Sequence, residues 1–303
     1  MIVIGSRGSD LALWQAHHIM ARLQAGGHLC RLEIIRTQGD RILDRSFAQM
    51  PGKGFFTKEL ETALLDTSID LAVHSLKDLP TASPPGLILG AIPERADARD
   101  CLLLRAAAHA ADDRQLPIVA GARVGTSAIR RQVQLSHLRP DLVLMDLRGN
   151  VPTRVGRLRA GDYDAILLAQ AGLDRLQLDL SDLVAVPLAP AAFVPAPGQG
   201  ALGLQIRATD ARLVAALAPL NAAAAILDCV TAERQVLAQL EGGCHTPLGT
   251  HAWRDGAGLH LRGFLGDAAE PGRSQHCLVH ADKVPQLVGR ALAALVGPPW
   301  PTL

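Results

Sequence analysis

The chain has 303 residues, 49% of them hydrophobic, with a formal net charge of +1 and a sequence pI of about 7.8. That length supports two or three cores of ordinary size, and the near-neutral balance gives no sign of a nucleic-acid or membrane-surface partner. The uncharged run over residues 183–204 is broken by Pro187, Pro190, Pro195 and Pro197, which excludes it as a membrane helix.

In chain order, short apolar runs alternate with amphipathic segments. Residues 1–4, 32–37, 69–74, 143–145 and 165–168 read as buried strands, and residues 11–24, 58–65, 128–138 and 152–159 as helices. The alternation predicts an α/β architecture with largely parallel sheets. A break at residues 93–99 and a proline-rich run at 187–197 mark two crossings between lobes, after which residues 200–207 are again strand-like. A third region starts near Pro219, with an alanine-rich helix over 222–240, three strands near 250–253, 259–265 and 275–279, and a closing helix over 284–295.

The five cysteines lie far apart, without a C-x-x-C pair or zinc-ligand spacing, so no metal site is expected and a reducing compartment is. The N-terminus runs straight into a strand, with neither a basic n-region nor a long apolar h-region, and the expected location is the cytoplasm. Of the 30 basic residues only Lys53, Lys58, Lys77 and Lys283 are lysine. The arginines gather at turns, and a guanidinium suits carboxylate or phosphate through paired hydrogen bonds.

Five clusters fall at strand ends or helix starts, where open α/β sheets bind ligands. Gly5-Ser6-Arg7-Gly8-Ser9-Asp10 opens a helix with an anion pocket, although Ser9 or Asp10 also suits as a plain N-cap. Gly125-Thr126-Ser127-Ala128-Ile129-Arg130-Arg131 sets two arginines in a first helical turn. There they oppose the macrodipole unless an anion sits between them and the N–H groups. Leu147-Arg148-Gly149-Asn150-Val151-Pro152-Thr153-Arg154 repeats that build. His74-Ser75-Leu76-Lys77-Asp78 follows an apolar strand, and Asp78 there is either an exposed ion-pair partner of Lys77 or the acid/base of an otherwise cationic site. Residues 38–55, with Lys53, read as a flap. Finally, Leu240-Glu241-Gly242-Gly243-Cys244-His245-Thr246-Pro247 presents a thiol on a glycine turn, unless the glycines merely end a helix and Cys244 is a buried hydrophobe.

Together and in this order the clusters resemble the porphobilinogen deaminase (hydroxymethylbilane synthase) family, most specifically at residues 72–80, 124–132, 147–154, 197–201 and 240–249. The resemblance implies two periplasmic-binding-protein-like α/β lobes around a central cleft and a small α+β C-terminal domain carrying the cofactor cysteine. Residues 1–94 with 195–217 would form domain 1, 95–194 domain 2 and 218–303 domain 3. It implies a transferase that joins four porphobilinogen units, with loss of ammonia, on a dipyrromethane held by a thioether at Cys244, and then releases hydroxymethylbilane by hydrolysis. Asp78 would be the catalytic group. Lys77, Asp78, Thr126, Ser127, Arg130, Arg131, Arg148 and Gly149 would hold the cofactor. Arg7, Ser9, Lys53, Arg148, Arg154 and Arg175 would take the substrate's acid groups. The product would pass to uroporphyrinogen-III synthase, and the protein would act as a monomer. Ala128, Asp10, His245 and Thr246 depart from the family's usual residues. Competing readings are a two-lobed anion-binding protein without catalysis and a cysteine hydrolase using Cys244 with His245 or His74. A ligand-sensing regulator would instead need a helix-turn-helix segment.

Overall fold

A computed structural model describes residues 1–37, 56–111, 116–240, 246–270 and 273–296. The first lobe contains β1 (Ile2–Ser6), α1 (Asp10–Ala25), β2 (Cys30–Ile34), α2 (Lys58–Leu65), β3 (Leu71–Ser75), a 3-10 turn (Leu76–Asp78) and β4 (Leu87–Ala91). The second contains β5 (Asp100–Arg105), β6 (Arg123–Gly125), α3 (Ile129–Leu138), β7 (Val143–Met145), α4 (Val151–Arg159), β8 (Ala165–Ala169), α5 (Gln170–Leu176) and β9 (Leu183–Pro187). The chain then returns through β10 (Leu202–Arg207) and α6 (Ala211–Leu217). It ends in α7 (Ala224–Gln239), β11 (Leu248–Asp255), β12 (Gly258–Gly266), β13 (Ser274–Ala281) and α8 (Val284–Val296).

Two five-stranded sheets result, ordered β2-β1-β3-β10-β4 in one lobe and β7-β6-β8-β5-β9 in the other. Strands β1, β2 and β3 are parallel, as are β6, β7 and β8. By contrast β10 is antiparallel to β3 and β4, and β5 is antiparallel to β8 and β9. The sheets are therefore mixed, which corrects the expectation of largely parallel pairing. The cause is the double crossing: β5 and β10 are the first strands after the chain changes lobe, and each enters its new sheet from the opposite end. Strand β5, which the sequence reading passed over, is a buried interior strand of the second lobe, between β8 and β9.

Alternating apolar positions place Ile2, Ile4, Leu71, Val73, Leu204 and Ile206 against Ala16, Ile19 and Leu23 of α1. In the second lobe Leu102, Leu104, Val124, Ala165 and Leu167 pack on Leu135. A fully buried side chain of this kind contributes roughly 1.5–3 kcal/mol. The C-terminal unit is an antiparallel meander, β11-β12-β13, with α7 and α8 over one face through Val236, Leu261, Leu287 and Leu295. Among the described residues no single helix is long and apolar enough to cross a membrane.

The two crossings touch each other and the C-terminal unit. Arg95 donates from Nε to Gln199 O (3.1 Å) and forks onto the fully buried Glu233 of α7 (2.8 and 3.0 Å). Glu233 also accepts from Gly198 N (2.8 Å) and Ala252 N (2.7 Å). Gly200 has φ +86°, and a Cβ there would stand 2.5 Å from Ala96 O, so only glycine lets the crossings approach this closely.

Candidate active site

The functional side chains gather where parallel strands end, as open α/β sheets require. On the first lobe, Arg7 and Ser9 follow β1, while Lys77 and Asp78 form the 3-10 turn after β3. Ser9 is the N-cap residue of α1 yet makes no side-chain capping bond, so its hydroxyl is not spent on the helix. A cavity of about 80 Å³ is lined by Arg7, Ser9, Gln15, Phe56, Thr57, His74, Ser75 and Asp78. The Arg7 guanidinium lies 4.1 Å over the Phe56 ring, a placement that holds the cation at the cavity wall. Asp78 is exposed.

His74 Nε2 lies 3.1 Å from Gln205 Oε1, and Gln205 Nε2 donates to Glu61 Oε1 (3.2 Å). Because a carboxylate only accepts, the amide nitrogen faces Glu61 and the amide oxygen receives the imidazole N–H. Burial, assisted by Arg7, pulls His74 down to about 4 against the opposing hydrogen bond. Its engaged Nε2 and neutral ring give no support to the hydrolase reading.

On the second lobe the two arginines of α3 are buried, and both grip Asp100, which is itself 0% exposed. Arg130 donates to its carboxylate at 2.7 and 3.2 Å, and Arg131 at 2.9 and 2.7 Å. Arg130 also donates to Val194 O and Arg131 to Leu167 O. The anion that the helix-start argument demanded is thus supplied by the chain. Two guanidiniums share one carboxylate, so the trio keeps a net positive charge beside the cleft. The arginines hold the Asp100 carboxyl far below the usual carboxylate range despite its burial.

Lys77 spans the lobes. Its Nζ donates to Gln199 Oε1 (3.2 Å), and Gln199 Nε2 reaches Ala98 O (2.7 Å) and Asp100 Oδ1 (3.2 Å). Surrounding protein displaces water from Lys77 and lowers it to about 8, opposed by Asp78 next to it. Asn150 caps α4 by accepting from Thr153 N (2.9 Å), and Gly149 turns the chain at φ +106°, where a Cβ would meet Thr153 at 2.8 Å. Gly149 O accepts from Arg154 Nε (2.7 Å). Burial lowers Arg148, and lowers Arg154 to about 10 with help from the like charges of Arg131 and Arg148.

Other predicted residues are placed differently. The Ser127 hydroxyl donates to Leu147 O (2.8 Å) and accepts from Leu147 N (3.0 Å), and so joins two site turns. Thr126 is buried and accepts from Ala128 N (3.3 Å). Arg175 sits at the crossing, donating to Gly200 O (2.8 Å), 3.7 Å from Glu94 and 5.6 Å over Trp14, with its Nε unpartnered. Lys53 and Cys244 lie outside the described residues. A larger recess of about 260 Å³, lined by Arg105, Val119, Gly121 and Asp164, is at the opposite end of the second sheet from Asp100 and lacks this charge.

Sequence reasoning missed Asp100, Gln199 and Gln15. Asp100 could have been found, since a carboxylate opening the apolar run Cys101-Leu102-Leu103-Leu104 must be paired. Gln15, which exchanges hydrogen bonds with Ser75, carries no local signal. The donor set suits a ligand with several acid groups: a buried arginine pair short of one anion, an orphaned guanidinium nitrogen at Arg175, and an Arg154 crowded by like charge. Those features fit a dipyrromethane, whose rings carry acidic side chains.

Family models match two segments: "Porphobilinogen deaminase, dipyromethane cofactor binding domain" over residues 2–215, and "Porphobilinogen deaminase, C-terminal domain" over residues 227–294. Porphobilinogen deaminase of Ralstonia nicotianae is 46% identical over 295 residues, covering 96% of this chain and 85% of that protein. The enzyme of Gloeobacter violaceus is 45% identical over 296 residues, covering 96% and 89%. Among solved structures, the periplasmic VFT2 domain of Bordetella pertussis BvgS aligns with a TM-score of 0.43 at 13% identity over 72% of this chain and 86% of that one, too distant to add weight. With both family models in register and close relatives over nearly its whole length, the chain belongs to the porphobilinogen deaminase family.

Proposed function

We propose that the cation cluster between the lobes holds a growing chain of acidic pyrroles while Asp78 handles its protons. As a member of its family the protein is a transferase acting on porphobilinogen with a dipyrromethane cofactor. The carrying observation is that Lys77, beside Asp78 on one lobe, is joined through Gln199 to Asp100, which Arg130 and Arg131 of the other lobe both grip.

Bound through Cys244, the dipyrromethane supplies a free pyrrole α-carbon as the nucleophile. Lys77, Thr126, Arg130, Arg131, Arg148 and the Gly149 turn would hold its acid groups. Ser127 would act indirectly, by fixing the Leu147 backbone beside them. Arg7, Ser9, Lys53, Arg148 and Arg154 would orient the incoming porphobilinogen, and Arg175 would receive acid groups near the crossing. When porphobilinogen loses ammonia, the exposed Asp78 carboxylate stabilises the resulting cation and then takes the ring proton. Lys77, at about 8, keeps a positive charge beside it in neutral solution.

In this reading residues 1–94 with 195–217, 95–194 and 218–303 are the three domains. The protein works as a monomer in the cytoplasm and hands its product to uroporphyrinogen-III synthase. Intact-mass spectrometry tests the core of it. The native protein should carry an added mass that disappears in Cys244→Ser, and Asp78→Asn should keep the adduct while losing turnover. A native chain of bare sequence mass that still forms the tetrapyrrole refutes the tether. A native chain that binds acidic pyrroles without turnover instead supports a non-catalytic binding protein.

A further inference from the structure

We infer that Arg234 is a positioning residue for the catalytic turn: from α7 it binds carbonyls on both sides of Lys77 and Asp78 and so sets where Asp78 stands. The turn Leu76–Asp78 is three residues long, and 3-10 pieces of that length hold themselves weakly. Its internal bond is Leu79 N to Leu76 O at 3.2 Å, and Leu76 N is held by Ala201 O at 3.0 Å. The remaining carbonyl capacity must be met from outside. Arg234 meets it, donating from Nη1 to Leu76 O (3.1 Å) and Leu79 O (3.0 Å) and from Nη2 to Pro80 O (2.8 Å). A planar fork of N–H groups can span three carbonyls in this way, whereas an ammonium cannot match the geometry.

Docking of α7 on the turn does not need the charge. Val230, Ile226 and Leu227 already pack against Leu76 and Leu79 in one apolar cluster, and residues 226, 230 and 234 form one helical stripe. The guanidinium has no ion-pair partner among the described residues, and burial lowers its proton affinity without an opposing acid. A desolvated cation is costly, and here the three carbonyl dipoles compensate it. The neighbouring Glu233 holds Arg95, Gly198 and Ala252. Successive residues of α7 thus grip the crossing and the Asp78 turn, and the helix ends at Gln239, shortly before Cys244.

This inference rests on Asp78 as the acid/base, so the test separates the two. In holoenzyme, Arg234→Met keeps apolar length and Arg234→Lys keeps charge. Each should lower kcat by about 10- to 100-fold, the penalty of ångström-scale misplacement, with the KM for porphobilinogen, adduct mass and melting temperature close to those of the parent. Added guanidinium should restore part of kcat in Arg234→Ala and none in Asp78→Asn. Should Arg234→Met fail to fold, Arg234→Lys carries the measurement. Parent-like kcat in the folded variants, or a kcat loss matched by lost adduct or lowered melting temperature, overturns the positioning role. Full turnover in Asp78→Asn overturns the Asp78 reading instead.

Discussion

Asp100→Asn removes one charge and almost no volume, so its effect isolates the electrostatics of the arginine pair. The wild-type carboxylate accepts two bonds from Arg130, two from Arg131 and one from Gln199, between 2.7 and 3.2 Å, in a site fully closed to solvent. The asparagine leaves two buried guanidiniums facing a neutral amide that offers one acceptor oxygen. Breaking a single buried ion pair by losing one partner costs about 3–5 kcal/mol, and with two cations stranded the upper half of that range applies. At about 2 °C per kcal/mol for a chain this long, the melting temperature should fall by roughly 8–10 °C. Salt should barely change the shift, because the pair is shielded from counterions. Calorimetry of the two proteins at neutral pH, in low and high salt, is the assay. The sign with pH is also set: the folded carboxyl lies below its unfolded value near 3.9, so its contribution is complete above that value and is lost as pH falls through the lower folded one. The mutant's deficit should therefore persist down to about pH 4 and shrink below it. A deficit under about 1 °C, or one abolished by salt, would refute the buried-trio account.

Three further outcomes follow from single groups. His74 is lowered from 6.5 to about 4, so between those values the unfolded chain binds a proton that the folded chain refuses. Stability should therefore drop on acidification, by up to about 3 kcal/mol. His74→Gln should flatten that part of a urea-melt pH series, and an unchanged slope would count against the buried neutral imidazole. Lys77 at about 8 predicts an alkaline limb in kcat/KM near that pH, and Lys77→Arg should carry the limb beyond pH 10; a limb that stays put assigns it elsewhere. Gly200→Ala imposes φ +86° on a side chain and drives its Cβ into Ala96 O. The substitution should cost about 1–3 kcal/mol in a denaturant titration, and a loss under about 0.5 kcal/mol would mean that the crossings can part without strain.

Much of the fold was legible because it is written in local periodicity. The helices at 152–159 and 284–295 were read within a residue of α4 and α8, and the three C-terminal strands were found from alternation alone. Strands β4, β5, β6 and β9 were missed, although β7, as short as β6, was read. Mixed pairing was missed because strand direction depends on which end of a sheet the chain enters, a property of the crossings and not of the strand residues. In the site, glycine turns and clustered arginines singled out Arg7, Arg130, Arg131, Arg148 and Arg154 through the rule that helix starts attract anions. The bond from Ser127 to the Leu147 backbone was not legible, because that partner belongs to a different turn.

By itself, the order of residues determined that Arg130 and Arg131 needed a negative charge, that two segments must cross between lobes, and that Lys77 and Asp78 sit at a strand's mouth. It could not say which negative charge answers the arginines. Asp100 lies thirty residues upstream and meets them only because β5 pairs with β8 in a register that sets Asp100 opposite Ala169. Likewise Gln199 joins Lys77 to Asp100, and Arg234 reaches Leu76, only after the crossings and α7 close around the turn. Hydrophobic spacing and turn chemistry act over a few residues and are readable in order. Pairing among buried charges is decided by which distant strands share an edge, and that exists only once the chain is folded.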